Sequence, residues 1–516
     1  MPWSKDNHFL LGEGIDRRID PNNPEYPRGA LWEALNMIYE QDSEEPEKMM
    51  GTERLGTTAM GGQVAGLFDY AEGTRLLSGN TNGKIYEYAG TDWAQSTGGT
   101  GFDTTSTTRW SFSMFYGAST AANLGILCNG VDVPQKYTSG AGVSALGGSP
   151  PTGGAFPVPF LGRLWMAAGS TLYFSKTNDC EVWTSPGGSI QIDRGTGNIT
   201  SLAIFGGNLV IFKRKNVYRI YPTTTLDETS VYPVTSGSGT VSHQTVKEIV
   251  VGKGDRLLLA FLSDQGIQAL VPNNNVQATS FSVANLSGPV QAIIDNRSEG
   301  NQSTSWSDFN RVRGEYYFQY GTTNATPSEG VIANTSRQNK PIRWTRHNMG
   351  NITAGTSFRR SGSEIQVIGD ISGQVFQLHY GHDRNGAGYR GRIYTPAYSQ
   401  GRYDQMKQYG RVFVDARSNG TYAVIVRMNL GRKDLPAPAG TSINVTDYGV
   451  SDGWGVGRWG VATWGGSGLV GQYIRPSKVS RGYYIRLMVE TTGSDQWFKI
   501  NGATIEYEPT AQIVSA

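Results

Sequence analysis

The chain has 516 residues and a formal net charge of +2, from 45 Lys and Arg against 43 Asp and Glu. This balance excludes a strongly basic nucleic-acid binder and an acidic solvating tail. Glycine is abundant at 68 residues and aromatic residues make up 11% of the chain, so a disordered chain is excluded and a turn-rich, packed all-β protein is favoured.

Residues 1–60 show little of the alternation that marks strands. We expect them to form an N-terminal arm that closes the fold or reaches a neighbouring subunit. The acidic run at 42–47 is typical of a solvated loop. Just before it, an apolar face at helical spacing is compatible with a short amphipathic helix, and its members are Leu31, Ala34, Leu35 and Ile38.

One hairpin pattern recurs between residues 61 and 381: an apolar strand, a turn residue, then an aromatic-ended strand. Clear copies span 77–88, 125–137, 166–175, 209–221, 259–271 and 367–378, with turns at Gly83, Gly130, Gly169, Asn216, Gly266 and Gly373, and a weaker copy without the glycine spans 331–344. Hairpins at a period of roughly 40–50 residues, with no helix between them, are typical of propeller blades. The pattern predicts a six- or seven-bladed β-propeller over 61–381.

The composition changes after residue 381. Residues 382–400 form a polar, Gly-rich linker, and longer alternating strands follow it. The strands at 408–417 and 421–427 flank Asn419-Gly420, which predicts that they pair as a hairpin. With the later strands at 483–489 and 498–507, we predict an antiparallel β-sandwich over 401–516.

Two cysteines, Cys128 and Cys180, are too few to staple a chain of this length, and we expect them to be free thiols in a reducing cytosol. The N-terminus has no signal-peptide pattern. No stretch approaches the roughly 18 apolar residues of a membrane-spanning helix, so no membrane span is expected.

Catalytic, metal-binding and cofactor-binding residues do not stand out, and none is predicted. His379 and His382 are the only histidines at a spacing that suits a metal, but a polar strand end explains them better. Asp179, Glu181 and Asp193 can be drawn as a carboxylate pair for glycoside cleavage, although loop carboxylates are the favoured interpretation.

Two sets of residues are candidates for contact with a partner. The basic residues are candidates for passing contact with phosphates in a lumen: Lys213, Arg214, Lys215, Arg343 and Arg346. Three tryptophans in a Gly-rich segment, Trp454, Trp459 and Trp464, are candidates for contact with another subunit or a partner protein, and secondarily for stacking on a sugar.

The run 160–175, followed by 181–183 and 192–202, resembles the β-propeller tail proteins of tailed bacteriophages, including the nozzle or stabilisation proteins of short-tailed phages. The strand at 209–218 and the segment 458–464 are also similar to this family.

The resemblance implies a structural virion protein without enzymatic activity, assembled in the host cytoplasm as a hexameric homo-oligomeric ring in the tail nozzle. The ring would retain DNA before infection and form part of the ejection conduit, with transient contact to double-stranded DNA in its lumen. Its other partners would be tail proteins such as the adaptor and fibres. Two alternatives remain open: a tail module that binds host-surface glycans through the tryptophans or blade loops, and, less favoured, a polysaccharide depolymerase.

Overall fold

The computed structural model describes residues 4–510, except 24, 42, 106, 118–122, 186, 222–229, 253, 255, 274–279, 297–298, 322–328, 339, 361, 401–403, 419–422, 432–440, 447–469 and 475–479. Its described residues form an all-β protein with many four-stranded antiparallel sheets.

The N-terminal segment forms short strands and is built into several sheets. These strands are β1 (Ser4–Leu10), β2 (Gly14–Ile15), β3 (Ala30–Leu31), β4 (Glu33–Leu35), β5 (Met37–Tyr39), β6 (Pro46–Lys48) and β7 (Thr52–Arg54). The predicted helix is therefore wrong. Asn36 adopts a φ of 52° between β4 and β5, a left-handed conformation that a right-handed helix cannot contain. The apolar residues are instead buried in different sheets.

Five antiparallel four-stranded sheets follow in chain order. The first two sheets are β8 (Val64–Tyr70), β9 (Arg75–Asn80), β10 (Lys84–Tyr88) and β11 (Trp93–Thr100), and then β12 (Ser111–Phe115), β13 (Leu124–Cys128), β14 (Gln135–Thr138) and β15 (Gly142–Ala145). The third and fourth are β16 (Ala155–Phe160), β17 (Arg163–Ala168), β18 (Thr171–Phe174) and β19 (Gly188–Gln191), and then β20 (Ile199–Phe205), β21 (Asn208–Lys213), β22 (Asn216–Ile220) and β23 (Val231–Ser236). The fifth is β24 (Lys247–Val251), β25 (Arg256–Ser263), β26 (Gly266–Pro272) and β27 (Phe281–Asn285).

The next strands are β28 (Trp306–Asn310), β29 (Glu315–Gln319), β30 (Gly330–Asn334) and β31 (Arg343–His347), followed by β32 (Ile352–Arg360), β33 (Ser363–Asp370) and β34 (Val375–Leu378). The last three pair in order, and β7 from the N-terminal segment supplies the fourth strand of their sheet. Helical turns are short: α1 (Gln291–Asp295) and 3₁₀ turns at Arg194–Thr196, His243–Thr245, Gly288–Val290 and Glu299–Thr304.

The first strands of these sheets lie side by side in a closed circle. Contacts run from β8 to β12, β16 and β20, then through the turn His243–Thr245 and β24 to β28 and β32, and β32 lies against β8. The second strands are buried on both faces, as β21 shows over its whole length. A run that is apolar throughout suits a strand that lies between two neighbouring sheets. The architecture is propeller-like.

The hairpin pattern of the sequence corresponds to the second and third strands of these sheets. Its copies match β9–β10, β13–β14, β17–β18, β21–β22, β25–β26 and β33–β34. The weak copy is displaced, because it falls on β30–β31, the third and fourth strands of its unit. The equivalent hairpin is β29–β30. Its two strands are separated in the sequence by the long connection 320–329, which obscures the repeat.

The C-terminal strands are β35 (Gly391–Tyr394), β36 (Lys407–Ser418), β37 (Ala423–Gly431), β38 (Thr441–Thr446), β39 (Val470–Ile474), β40 (Ser480–Gly482), β41 (Tyr484–Thr491) and β42 (Phe498–Pro509). The predicted pairing of the strands around Asn419-Gly420 is wrong. β36 pairs with β39, β40 and β42, whereas β37 pairs with β38 and β41 in another sheet.

Two large sheets contain strands from both ends of the chain, and one of them also contains the unit β28–β31. A nine-stranded sheet has the order β28-β29-β30-β31-β4-β35-β41-β37-β38, and a seven-stranded sheet joins β1, β5 and β6 to β36, β39, β40 and β42. The domain boundaries at residues 60, 381 and 400 stay predictions. The nine-stranded sheet contains strands from the N-terminal segment, from 61–381 and from the C-terminal part of the chain.

Cys128 and Cys180 are free thiols, as the sequence predicts. Both are buried in one apolar cluster with Trp183 and Met166. Burial raises the pKa of the Cys180 thiol to about 12. In the part of the chain that the structure describes, no helix is long and apolar enough to cross a membrane.

Candidate functional site

The turn His243–Thr245, between β23 and β24, lies within the circle, because it contacts strands of several of its sheets. The Gln244 side-chain amide donates to the carbonyl oxygens of Ala65 at 2.8 Å and Trp110 at 3.3 Å, on other sheets of the circle. The His243 Nε2 lies 3.4 Å from the same Trp110 oxygen, and its ring centroid is 4.9 Å from that of Phe156. Burial lowers the pKa of His243 to about 4, so the imidazole is neutral at pH 7.

A cavity of about 350 Å³ lies against this turn, and His243 and Gln244 contribute to its lining. Its walls come from the first strands of the sheets, including Phe68, Phe112, Val158 and Thr356. A cavity of this volume is at the small end of ligand pockets. Duplex DNA, whose major groove alone is about 12 Å wide, does not fit into it. The axis of a single chain is therefore not a passage for duplex DNA.

Lys213 is buried, which removes it from the candidate lumen surface. The side chain is 0% exposed, and its ammonium donates to the carbonyl oxygens of Ile192 and Asp193 at 2.6 Å each. Lys213 ends a strand that is buried on both faces, so its charge must find partners inside the protein.

The two residues after Lys213, Arg214 and Lys215, lie in the turn between β21 and β22 and are exposed. The Arg214 guanidinium, 59% exposed, pairs with the carboxylate of Asp264 at 3.2 Å. Lys215 follows it in the same turn. These two are the members of the predicted basic set that face solvent.

Arg343 is also 0% exposed, contrary to the predicted lumen position. Its guanidinium donates to the Ser43 carbonyl at 2.5 Å and to the Asn334 Oδ1 at 2.9 Å, and lies 4.2 Å from the centre of the Tyr39 ring. Burial lowers its pKa to about 10, so it stays charged. Arg343 therefore links β31 to the N-terminal segment through buried polar contacts.

Arg346 is 16% exposed and engaged by carboxylates. It pairs with Glu329, and its Nη1 lies 3.9 Å from Glu33 Oε1. Glu33 also accepts from Arg392 at 2.6 Å, which links β31, β4 and β35. Arg346 is thus an internal link between strands. The tryptophans Trp454, Trp459 and Trp464 lie outside the described residues.

The two closely spaced histidines have separate surroundings. His379 Nε2 lies 3.3 Å from the Tyr317 hydroxyl and 3.5 Å from Glu315 Oε2, and burial lowers its pKa to about 4. The His382 ring lies 6.2 Å from that of Trp497. Among the described residues, no group of three His, Cys, Asp or Glu is placed to hold a metal ion.

The three carboxylates considered for glycoside cleavage each make local contacts. Glu181 accepts from the Lys136 ammonium at 2.7 Å and from the Gly147 amide at 2.8 Å, and these bonds lower its pKa. Asp179 accepts from the Glu181 backbone amide. Asp193 accepts from the Tyr218 hydroxyl at 2.8 Å. Glu181 therefore joins β14 to the turn after β18.

A charge network that the sequence does not reveal surrounds the acidic run at 42–47. Arg337, whose side chain is 4% exposed, donates to Glu13 at 2.9 Å and to Glu44 at 3.2 Å. The run is not a solvated loop, because Glu44 pairs across the molecule and Glu47 is 4% exposed in β6. No local pattern marks such contacts, since their partners lie about 300 positions away in the chain, as in the Ser43–Arg343 bond separated by 300 residues.

Neither a family model nor a curated protein matches this chain. Among solved structures, the computationally designed Ika8 protein is similar with a TM-score of 0.38 and 12% identity, over 64% of this chain and 99% of that one. Raptor of Chaetomium thermophilum is similar with a TM-score of 0.41 and 11% identity, over 65% of this chain and 30% of that one. Similarities this weak do not bear on function.

Proposed function

We propose that this chain is a structural subunit of a bacteriophage tail, repeated as a hexameric ring in the nozzle. The ring retains packaged DNA before infection and forms part of the conduit through which DNA leaves. The proposal rests on the sequence resemblance of the segments 160–218 and 458–464. The observation that supports it best is the closed circle of sheets, because such a circle supplies a rigid wall element.

The finer architecture proposed is seven blades followed by a β-sandwich. Five four-stranded sheets, the unit β28–β31, and the sheet of β32–β34 with β7 supply the seven blades. The sandwich is supported by one apolar cluster that contains residues of both large sheets, including Val412 and Ile505 from one and Leu487 and Val489 from the other.

The proposed conduit lies between copies of the chain. The cavity within the circle of each copy is too small for duplex DNA, so DNA passes through the opening that the copies enclose. Passing contact with DNA then falls to exposed basic residues such as Arg214 and Lys215. Proposed neighbours are the adaptor and fibre proteins of the tail, and assembly takes place in the host cytoplasm.

The first test is the mass of the purified chain by light scattering, together with negative-stain images. The expected particle has six times the mass of one chain and a central opening wide enough for duplex DNA. A particle that stays monomeric at all concentrations and does not join tails would contradict the proposal.

Exposed apolar residues at the two ends of the sheets allow a sharper test. Val312, 68% exposed, lies in the β28–β29 turn, and Val131, 53% exposed, lies in the β13–β14 turn at the opposite end of its sheet. A subunit contact formed by an apolar side chain is weakened when a carboxylate is buried in its place. Val312→Asp and Val131→Asp are therefore a matched pair. The substitution at the end of the sheets that contacts the neighbouring subunit lowers the particle mass, and the substitution at the opposite end leaves it unchanged.

A further inference from the structure

A second cavity, of about 690 Å³, opens beside the sheet β20–β23, away from the circle's centre. One wall is the edge strand β23 and the other is the chain around the turn Arg194–Thr196. Its lining mixes polar and apolar groups, from Gln191, Asp193, Asn216, Tyr218, Val231, Pro233, Val234, Thr235 and Ser236. This volume lies within the range of small-molecule sites.

Asp193, at the mouth of this cavity, has a strained backbone. Its φ is 23° and its ψ is 92°, outside the conformations that L-residues ordinarily adopt. Such a conformation costs about 1–3 kcal/mol and persists only where the surroundings enforce it. Strain of this kind is concentrated at ligand clamps and functional sites.

Lys213 supplies the enforcement. Its buried ammonium holds the carbonyl oxygens of Ile192 and Asp193 at 2.6 Å each, so the backbone on both sides of the strained residue is fixed. Hydrogen bonds from a charged donor are the strong ones. A buried lysine is costly to place, and its contacts here position one carboxylate at the cavity.

The Asp193 carboxylate is ionised and still able to accept. The hydrogen bond from the Tyr218 hydroxyl is the main cause that lowers its pKa, and the Gly195 amide adds to it at 3.2 Å. The Thr196 side chain also contributes a hydrogen bond that lowers this pKa. An ionised carboxylate has about four acceptor positions, so about one remains for a hydroxyl donor from a ligand.

Further polar groups face the same cavity. Asn216 and Ser236 are directly opposite each other on β22 and β23, so their side chains share a face of the sheet. Within the described residues, neither side chain makes a hydrogen bond. The Thr235 hydroxyl makes only a 3.4 Å contact to the neighbouring Ser236 carbonyl. Val231, Pro233 and the Tyr218 ring add apolar surface between these groups.

We propose that this cavity binds a neutral saccharide unit. Each hydroxyl of a sugar both donates and accepts, which matches a carboxylate, an amide and two hydroxyls placed around one cavity. The apolar C–H face of the sugar then lies against the Tyr218 ring and Pro233. The site is independent of the proposed ring, because all its residues belong to one chain.

The test is saturation-transfer NMR on the purified full chain with D-glucose, D-galactose, D-mannose, L-rhamnose and N-acetyl-D-glucosamine as separate probes, and with D-glucosamine as a cationic comparison. At least one sugar is expected to bind with a millimolar dissociation constant. Asp193→Asn and Asn216→Ala each weaken that binding, the first by about ten- to a hundredfold, as for loss of a hydrogen bond to a charged group.

Asp264→Asn is the matched control, because this carboxylate pairs with Arg214 in neighbouring turns and does not line the cavity. It leaves sugar binding unchanged. The proposal is overturned if no probe binds, or if Asp193→Asn, shown to be folded by its melting temperature, binds as the parent does. Binding of D-glucosamine alone, through its ammonium group, would also overturn it. The mass of the particle, measured on the same samples, tests the ring separately.

Discussion

The sheets β16–β19 and β20–β23 and the N-terminal strands β2–β7 are held in place by different kinds of contact. The two sheets share one apolar cluster, with Trp165, Leu172, Leu209 and Ile211 each 0% exposed. Their contacts join residues close in sequence, through hairpins of antiparallel strands. Burial of this kind is non-directional and depends on the apolar area removed from water.

The N-terminal strands depend more on directed polar contacts to distant parts of the chain. The Asn36 amide donates to Asn348 and to the Arg390 carbonyl, and Arg384 donates back to Asn36 at 2.8 Å. Arg343 makes a similar contact to Ser43, and Arg337 makes one to Glu13. The circle is therefore encoded by local repetition, whereas the position of the N-terminal strands depends on individual pairs that are far apart in sequence.

The largest expected effect is in the apolar cluster. Trp165 is fully buried, its indole donates to the Phe160 carbonyl at 3.0 Å, and its ring lies 4.9 Å from that of Phe174. Trp165→Ala is expected to lower the free energy of unfolding by about 3–5 kcal/mol, through lost burial and a cavity. Urea denaturation measures it. Leu161→Ala, at a 46% exposed turn position, is the control and changes stability far less.

The second prediction concerns the N-terminal contacts. Arg343→Ala removes the Arg343 donor from the half-buried Ser43 carbonyl and one of the two donors to the Asn334 Oδ1, which keeps the Ser336 hydroxyl. The expected cost is about 1–3 kcal/mol in all. The loss is local: hydrogen exchange should accelerate first at 30–48, while the sheet β16–β19 stays protected. Uniform acceleration across both regions would contradict the difference between them. Lys340→Ala, 53% exposed beside Glu44, is the control.

The repeated hairpins could be predicted from sequence because each strand pair carries its own apolar pattern and turn. Gly83, Gly130 and Gly373 have the positive φ that their turns require. The structure of 28–48 could not be predicted, since the partners of these short strands are β31, β35 and β42, far along the chain. The spacing of the apolar residues alone predicts a helix in this segment.

The same limit applies to the candidate site residues. A basic cluster such as 213–215 suggests an exposed patch, because lysine is rarely buried. What the sequence does not reveal is the strained loop at Asp193, whose carbonyl groups accept the Lys213 ammonium. Burial of Lys213 and Arg343 follows from tertiary contacts with no counterpart in local composition.

A third prediction uses pH to act on the N-terminal strands. Burial raises the pKa of Glu47 from 4.5 to about 7, with Glu40 and Glu315 adding to the rise and Lys499 and Arg313 opposing it. The folded protein therefore keeps a proton that the unfolded chain loses between these pH values. The stability from this group is complete below pH 4.5 and is lost as the pH rises through about 7.

Glu47→Gln, which mimics the protonated side chain, should be more stable than the parent at pH 8 by on the order of 1–3 kcal/mol and similar to it at pH 4. Thermal melts across this range measure the difference. His379 also lies near Glu315, and its pKa, lowered to about 4, gives the opposite slope, but this slope cancels between variant and parent. Glu72→Gln, at a 77% exposed side chain, is the control and shows little difference at either pH.

The smallest expected effect is at an ion pair that resembles the N-terminal contacts in chemistry but not in burial. Arg359 and Glu72 lie 3.2 Å apart and join β32 to the turn after β8, with side chains 55% and 77% exposed. In water such a pair contributes about 0–1 kcal/mol, and salt screens it further. Arg359→Ala should therefore barely change the urea midpoint, and less still at high salt. If it destabilised the protein as much as Arg343→Ala does, then charge pairing between distant segments would stabilise the protein regardless of burial. A small effect shows instead that the contacts of Arg343 matter because its guanidinium is buried, where water replaces a lost partner poorly.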